Sequence, residues 1–279
     1  MSFGCEEAVA PRPSGGAVEA TRPLALVTGA SAGIGECFAR ELARRGHDLL
    51  LVARGLERLS ILARELRAQH GAAVEVLAAD LGRLEDLERV EERAAGAENL
   101  SLLVNNAGFG LGKDFLEADA DAHEAMIRVH LIASVRLARA ALPGMVGRRR
   151  GAVINLASVA GFLPRGGSVT YGATKGFLTF FTEALAVELR GTGVKVQALC
   201  PGLTHTEFHR RAQMDVSRKP GWLWMDAEEV VQSSLRCLER GRVVCVPGLK
   251  NRLFVALSRV VPRALLGAVV RRTDRKMQV

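Results

Sequence analysis

A short apolar run that leads into closely spaced glycines constrains the fold of this chain more than any other feature. Residues 24–28 are apolar almost throughout, Gly29, Gly33 and Gly35 follow, and a helical pattern of apolar residues comes next. A strand–turn–helix unit of this kind lets backbone approach a pyrophosphate, which then lies at the helix N-terminus. We expect Gly29 in the sharp turn, Gly33 beside the phosphates and Gly35 between helix and strand. Glycines in an ordinary turn are the alternative.

Short apolar runs alternate with helical patterns along the rest of the chain, which predicts a parallel sheet covered by helices. We expect strands near residues 24–28, 48–53, 74–78, 100–104, 152–157, 194–199 and 243–246. We expect helices near residues 33–45, 55–70, 84–95, 119–147, 171–190 and 226–240.

No internal repeat or linker divides these elements, and 279 residues with 48% hydrophobic content suit one large core. The predicted fold is α/β, a doubly wound Rossmann-type parallel sheet of about seven strands with helices on both faces. It would form a single domain over residues 23–250, between a flexible extension at 1–22 and an apolar and basic segment at 251–279. Such a sheet binds its ligand at the carboxyl ends of the strands, where the strand order reverses.

The only tyrosine of the chain stands four residues before a lysine. Tyr171 and Lys175 would share one face of a helix, and Ser158 ends an apolar run thirteen residues upstream. A nearby cation can lower the pKa of a phenol, and a tyrosine activated this way can protonate a carbonyl oxygen that becomes an alkoxide. A chance pair of a tyrosine and a surface lysine is the alternative.

Five motifs together resemble the short-chain dehydrogenase/reductase family in order and spacing over about residues 22–250. They are Thr28-Gly29-x-x-x-Gly33-Ile34-Gly35, Asn105-Asn106-Ala107-Gly108, Ser158, Tyr171-x-x-x-Lys175 and Pro201-Gly202. The resemblance implies an NADP-dependent oxidoreductase of the carbonyl reductase or alcohol dehydrogenase type.

The resemblance also assigns roles to residues. Ser158 would hydrogen-bond the carbonyl oxygen of the substrate, Tyr171 would donate the proton, and Lys175 would lower the tyrosine pKa and hold the nicotinamide ribose. No metal site is expected. The predicted cofactor-binding residues are Gly29, Ser31, Gly33, Ile34, Gly35, Arg54, Asp80, Leu81, Asn106, Ala107, Gly108, Tyr171, Lys175, Pro201, Gly202, Thr204 and Thr206.

The end of the second strand favours NADP over NAD. An NAD enzyme would carry an acid about where Ala53 stands, whereas Arg54 follows here and suits a 2′-phosphate. The alternative is that Arg54 is merely solvated. By resemblance, Asp80 and Leu81 contact the adenine ring, although Asp80 could also be an ordinary helix N-cap.

His130 departs from the family pattern, which often has an asparagine in the long helix at this place. That asparagine helps hold a water leading to the catalytic lysine. His130 could keep the water through its backbone carbonyl or its imidazole, or the relay could be weakened. His130 could also be simply a packing residue, with direct catalysis as the further alternative.

The segment 207–225 contains apolar residues that could form a lid over a substrate: Phe208, Met214, Trp222, Leu223, Trp224 and Met225. Together with Phe109 and Phe162, it suggests a lipophilic carbonyl compound such as an aliphatic, steroid-like or polyketide-like ketone. Thr204 and Thr206 would serve the nicotinamide carboxamide and the phosphates. A loop that packs on its own core or on a second subunit is the alternative.

The net charge of +8 is not accompanied by a nucleic-acid recognition motif, so we expect a solvated basic surface. No stretch of 18 uncharged apolar residues occurs, so we expect no transmembrane span, and five scattered cysteines indicate a reducing, cytoplasmic setting. Residues 253–270 should pack on the catalytic body or on a partner subunit, with a loosely ordered tail and a peripheral membrane contact as the alternatives.

The resemblance implies a homodimer or homotetramer. A nucleotide-binding regulatory or scaffolding protein without turnover is the alternative function.

Overall fold

The computed structural model describes residues 22–212, 214 and 220–260. The described strands are β1 (Leu24–Thr28), β2 (Asp48–Ala53), β3 (Val74–Ala78), β4 (Leu100–Asn105), β5 (Gly151–Leu156), β6 (Val194–Leu199), β7 (Thr204–His205), β8 (Met225–Asp226) and β9 (Val244–Cys245). Seven of them form one parallel sheet in the order β3-β2-β1-β4-β5-β6-β9. The strand order reverses between β1 and β4, as a doubly wound sheet requires, so the predicted fold class is confirmed.

A second, two-stranded sheet was not predicted. It pairs β7 with β8 in parallel, with Thr204 opposite Met225 and His205 opposite Asp226. Strands of two residues leave no alternation in the sequence, so no pattern could have indicated them. The pairing joins the two ends of the segment that we expected to act as a lid.

The helices lie close to the predicted positions, with two differences. They are α1 (Gly33–Arg44), α2 (Leu56–His70), α3 (Leu84–Ala95), α4 (Ala120–Ile127), α5 (Ala133–Gly147), α6 (Val169–Glu188), α7 (Phe208–Arg211), α8 (Ala227–Glu239) and α9 (Leu249–Val260). One difference is that a π-helical turn, Arg128–Ile132, separates α4 from α5 within the predicted helix 119–147. The other is that α7 and α9 were not predicted.

Both faces of the large sheet are covered by helices. On one face, α1, α2 and α8 bury Phe38, Leu59 and Val230 against the strands. On the other face, α3 and α5 bury Val90 and Leu137. Full burial of an apolar side chain of this size contributes roughly 1.5–3 kcal/mol. The two apolar layers therefore hold the carboxyl ends of β1, β4 and β5 at one edge, where the motifs meet.

The long helical segment Ala120–Gly147 is long and apolar enough to cross a membrane by length and composition. Its α5 part packs Leu137, Ala141 and Met145 into the core beside β4 and β5. The core helix of a globular fold passes the same test, so this segment carries no argument for a membrane span.

The first turns of α9 lie against the catalytic body through Asn251 and Val255. The Asn251 amide lies 3.4 Å from the sulfur of Met225 and packs beside Gly202, and Val255 is buried. The helix spans the boundary that we expected at 250/251. Residues 1–21 of the predicted extension at 1–22, and the part of the predicted C-terminal segment beyond residue 260, lie outside the described residues.

Candidate active site

Two glycines of the turn after β1 have a backbone conformation that other residues rarely adopt. Gly29 and Gly33 have φ angles of 65° and 57°, in the left-handed region that glycine adopts without strain. Gly35 opens the way for close packing, because a Cβ there would lie 2.3 Å from the carbonyl oxygen of Gly29. The turn leads directly into the N-terminus of α1, whose free N–H groups favour an anion.

Asn106 holds this turn against the end of β4. Its amide donates to the carbonyl of Thr28 at 2.8 Å and to that of Gly29 at 3.3 Å. The Thr28 hydroxyl in turn accepts the backbone N–H groups of Asn106 and Ala107 at 2.9 and 3.0 Å. These hydrogen bonds fix the ends of the two strands where the strand order reverses. Asn106 and Ala107 therefore line the same turn as Gly29, as their predicted role requires.

The structure brings Ser158, Tyr171 and Lys175 together at the end of β5. Ser158 begins a 3₁₀ turn, Val159–Phe162, and its hydroxyl accepts the N–H of Ala160 at 3.1 Å. Tyr171 lies in the first turn of α6, and the ammonium of Lys175 is 5.6 Å from the centroid of its ring. The lysine Nζ donates to the carbonyl of Leu156 at 2.6 Å.

Burial, rather than the lysine charge, dominates the protonation of this cluster. Desolvation raises the pKa of Tyr171 to about 12, and a hydrogen bond with Ser158 works against that rise. Desolvation lowers the pKa of Lys175 to about 7. The expectation that Lys175 depresses the tyrosine pKa is therefore not met in the protein by itself. A buried lysine that gives up its proton easily exerts only part of a full charge.

His130 lies in the π-helical turn beside this cluster, and both ring nitrogens are engaged. Phe109 donates its backbone N–H to Nε2 at 3.0 Å. Nδ1 lies 2.9 Å from the hydroxyl of Thr174, which itself donates to the carbonyl of Tyr171 at 2.8 Å. This arrangement assigns the neutral tautomer with the proton on Nδ1. His130 therefore links the loop after β4 to the helix that carries Tyr171.

The neighbours of His130 narrow the alternatives for its role. Burial and the nearby charge of Lys175 hold its pKa well below the usual value, so the imidazole is neutral. With both nitrogens engaged, the imidazole cannot also hold a water. The backbone carbonyl accepts the Ser134 hydroxyl at 2.8 Å and retains a second lone pair. His130 is thus a positioning residue, and of the two ways to hold a water only the carbonyl remains.

The predicted cofactor residues at the ends of β2 and β3 lie together. The guanidinium of Arg54 is 77% exposed and approaches the carboxylate of Asp80 at 4.0 Å. Asp80 is not the N-cap of α3, which begins after Arg83; its carboxylate accepts the N–H of Gly82 at 3.0 Å instead. The helix-cap alternative is therefore wrong. Leu81 is buried in the core.

A cleft of about 330 Å³ runs beside the glycine turn, and it contains residues that sequence reasoning missed. Ser31 and Gly33 line it from the turn, and Arg58 from α2 and Glu207 close it. The guanidinium of Arg58 meets the Glu207 carboxylate at 3.1 Å. Arg58 lies in the first turn of α2, and no motif in the sequence marked it as a residue of this cleft.

The predicted residues in the loop after β6, which are Pro201, Gly202, Thr204 and Thr206, make different contacts. Pro201 accepts the Ser158 hydroxyl at 3.4 Å, so this loop touches the catalytic cluster. Thr206 lies 3.1 Å from the position that a Cβ on Gly33 would take, beside the glycine turn. Thr204 is buried, and its hydroxyl donates to the carbonyl of Gly202 at 3.1 Å. The Thr204 hydroxyl is therefore engaged within its own loop.

The described part of the expected lid divides into inward and outward residues. The ring of Phe208 lies 5.7 Å from that of Tyr171, and Trp224 stacks on His205 at 4.8 Å. Trp222, by contrast, is 61% exposed. Phe208 thus covers the tyrosine as a lid residue would, whereas Trp224 packs within the loop. Among the described residues, no group of three or more His, Cys, Asp or Glu side chains could hold a metal.

Several known proteins are similar to this chain in sequence and in structure. The family model described as short chain dehydrogenase matches residues 23–216. A short-chain dehydrogenase from Sphingobium yanoikuyae in complex with NADPH is 39% identical, with a TM-score of 0.78, covering 87% of this chain and 97% of that one. A Burkholderia phymatum short chain dehydrogenase/reductase in complex with NAD is 25% identical, with a TM-score of 0.76 and coverages of 85% and 92%.

One relative in sequence is considerably longer than the region that matches. Very-long-chain 3-oxoacyl-CoA reductase from Anas platyrhynchos is 34% identical over 191 residues, which are 67% of this chain and 61% of that protein. The chain thus matches about three fifths of that relative's length.

Proposed function

Because this chain belongs to the short-chain dehydrogenase/reductase family and is an oxidoreductase of that family, we propose that it transfers hydride between NADP(H) and a carbonyl or alcohol substrate. One observation carries the proposal. Ser158, Tyr171 and Lys175 converge at the carboxyl end of β5, beside the glycine turn that follows β1. Hydride would come from the bound nicotinamide in reduction.

Each residue of the cluster has a separate task in this proposal. The Ser158 hydroxyl hydrogen-bonds the substrate oxygen, and Tyr171 supplies its proton as negative charge develops there. Since the pKa of Tyr171 is about 12, the tyrosine is protonated at neutral pH, as a donor must be. Lys175 would hold the ribose hydroxyls of the nicotinamide half, which would add hydrogen bonds to the one that its ammonium makes with the Leu156 carbonyl.

The residues around the glycine turn fit a dinucleotide. The N-terminus of α1, which follows the turn residues Ser31 and Gly33, suits the pyrophosphate. We propose NADP rather than NAD, because Ala53 offers no carboxylate and Arg54 is exposed enough to meet a 2′-phosphate.

We propose a lipophilic carbonyl compound as substrate. Phe208 packs beside Tyr171, and Phe109 lies edge-on to His130 with ring centroids 5.9 Å apart, so the surroundings of the tyrosine are aromatic. One observation favours a second class. A cavity of about 190 Å³ is lined by Lys113 and Arg211 together with Asp119, which suits a carbonyl compound that carries a charged group.

Turnover of a carbonyl panel with NADPH tests the proposal and separates it from the silent nucleotide-binding alternative. The panel would contain lipophilic ketones and 3-oxo acids. Tyr171→Phe removes one hydroxyl and little volume, so NADPH binding should survive while turnover falls by about 100-fold or more. Near-parental turnover of a folded Tyr171→Phe variant would exclude the tyrosine as the acid. NADPH binding without turnover across the panel would favour the silent alternative.

A double variant tests the preference for NADP over NAD. Ala53→Asp combined with Arg54→Ala should reverse the order of affinity, because the new carboxylate repels a 2′-phosphate. Isothermal titration of the parent and the double variant with NADPH and NADH measures this. Equal affinities in the parent would refute the preference.

We further propose that two long helices pair subunits into a homodimer or homotetramer. Phe177, Phe180 and Val187 on α6 and Ile132 before α5 are exposed apolar residues that such pairing would cover. Light scattering of the parent and of Phe180→Asp measures the assembly, and an unchanged mass would contradict this interface.

A further inference from the structure

Helix α9 carries an apolar strip that faces away from the protein. Leu249, Leu253 and Leu257 recur every four residues and are 80%, 60% and 53% exposed. Asn251 and Val255, on the opposite side of the helix, face the catalytic body. The helix thus has an apolar side, but this side faces solvent and not the core. A row of exposed leucines of this kind indicates an interaction surface.

Basic residues border the strip on both sides. Lys250 and Arg252 lie to either side of Leu253 around the helix, and α9 contains no acidic residue. The Lys250 ammonium lies 4.8 Å from the ring centroid of Trp222 and donates to the Trp222 carbonyl at 3.2 Å. The strip and its neighbours form one surface, which we call the α9 face: Trp222, Leu249, Lys250, Arg252, Leu253 and Leu257.

We propose that the α9 face docks on an anionic lipid surface, with the leucines in the acyl boundary and the basic side chains at the headgroups. Outward leucines with flanking cations and an exposed tryptophan are what an interfacial helix requires. Tryptophan and lysine suit the headgroup level because each has an apolar body and a polar tip. The sequence that follows, 261–279, has five basic residues and one acidic residue, so its charge has the same sign.

Charge argues against a second copy of the chain on this surface. A two-fold contact through the strip would bring Lys250 and Arg252 of one copy against the same residues of the other. Because α9 offers no carboxylate to pair with them, the contact would be repulsive. An anionic surface turns the same charges into an attraction.

The position of the α9 face connects it with the active site. Trp222 belongs to the segment that also carries Phe208, which covers Tyr171. Asn251 of α9 would lie 2.5 Å from a Cβ at Gly202, in the loop after β6. A bilayer under α9 would therefore lie beside the covering segment. The lipid contact itself does not depend on the proposed reaction.

Sedimentation with vesicles tests the docking on the full chain. The parent should bind vesicles that contain phosphatidylserine, bind pure phosphatidylcholine vesicles at least 10-fold more weakly, and detach as salt screens the charges. Leu253→Asp should lower binding at least 10-fold. The matched control is Leu116→Asp, which changes another exposed leucine, 93% exposed and outside the α9 face, and should bind as the parent does.

Trp222 fluorescence distinguishes docking of the α9 face from adsorption of the basic sequence after residue 260. Lipids brominated on the acyl chains should quench the parent, and Trp222→Phe should abolish most of that quenching while Trp224 remains. Binding that is insensitive to Leu253→Asp and leaves Trp222 unquenched would overturn the proposal.

Two further outcomes would also overturn it by naming another occupant. If the parent does not bind vesicles and its mass in solution falls on Leu253→Asp, a second copy of the chain covers the strip. Loss of thermal stability on Leu253→Asp with unchanged vesicle binding would assign it to residues 261–279 of the same chain.

Discussion

The burial of Lys175 predicts how the stability of the protein depends on pH. The side chain is 4% exposed, and desolvation lowers its pKa from 10.5 to about 7. A shift of this size corresponds to roughly 5 kcal/mol against the charged form, at about 1.4 kcal/mol per unit. Lys175→Met removes the ionisable group and keeps most of the apolar stem.

The sign of the effect follows from proton binding. Between pH 7 and 10.5 the unfolded chain holds the lysine proton and the folded protein does not, so the free energy of unfolding rises with pH. Below pH 7 both states hold the proton and the penalty is complete. Relative to Lys175→Met, the parent should therefore gain about 3 kcal/mol between pH 7 and 9.5.

Urea unfolding of the cofactor-free proteins at several pH values measures this difference. Staying below pH 10 avoids the titration of Tyr171, whose pKa is raised to about 12. Lys195→Met is the matched control, because Lys195 is exposed and loses little water on folding, so its curve should run parallel to that of the parent. A difference between parent and Lys175→Met that stays flat from pH 7 to 9.5 would refute the reasoning.

Two more predictions concern the neighbours of Lys175. Tyr171 is the only tyrosine, so tyrosinate absorbance reports on it alone; its midpoint should lie near 12 in the folded protein, and Ser158→Ala should raise it by removing an opposing hydrogen bond. A folded-state midpoint near 10 would contradict this. His130→Asn should lower kcat/KM about 3- to 10-fold by loosening the contact with Phe109, with no change in the pH profile between 5.5 and 8, because the imidazole is neutral throughout. A step in the parental profile that disappears in the variant would show that His130 titrates.

Much of the fold could be predicted because its signals are local. The five main buried strands are runs of apolar residues, and the glycine turn joins β1 to α1 where the glycine spacing placed it. The π-helical turn around His130 could not be predicted, because an inserted residue leaves the helical apolar pattern nearly unchanged. The outward strip of α9 was missed for a related reason: its leucines suggested packing, and only the fold decides which side of a helix meets the core.

The site was less predictable than the fold. The convergence of Ser158, Tyr171 and Lys175 followed from motif spacing, whereas the pKa values of Tyr171 and Lys175 did not. The pKa values depend on how completely water is removed around Tyr171 and Lys175, and burial of that kind is set by distant parts of the chain. The pairing of Arg58 with Glu207 likewise joins residues 149 positions apart.

The small β7–β8 sheet has a consequence for how this protein could change its substrate. The pairing of Thr204 with Met225 and of His205 with Asp226 closes the base of the intervening segment. With both ends fixed, doubling the length of the loop between them would cost only about 0.6 kcal/mol in closure entropy. The segment is therefore a replaceable module. Sequences of different length and character could be grafted between Phe208 and Met225 while Thr206 keeps its place beside Gly33 and Glu207 keeps its ion pair with Arg58, so substrate range and fold can evolve separately.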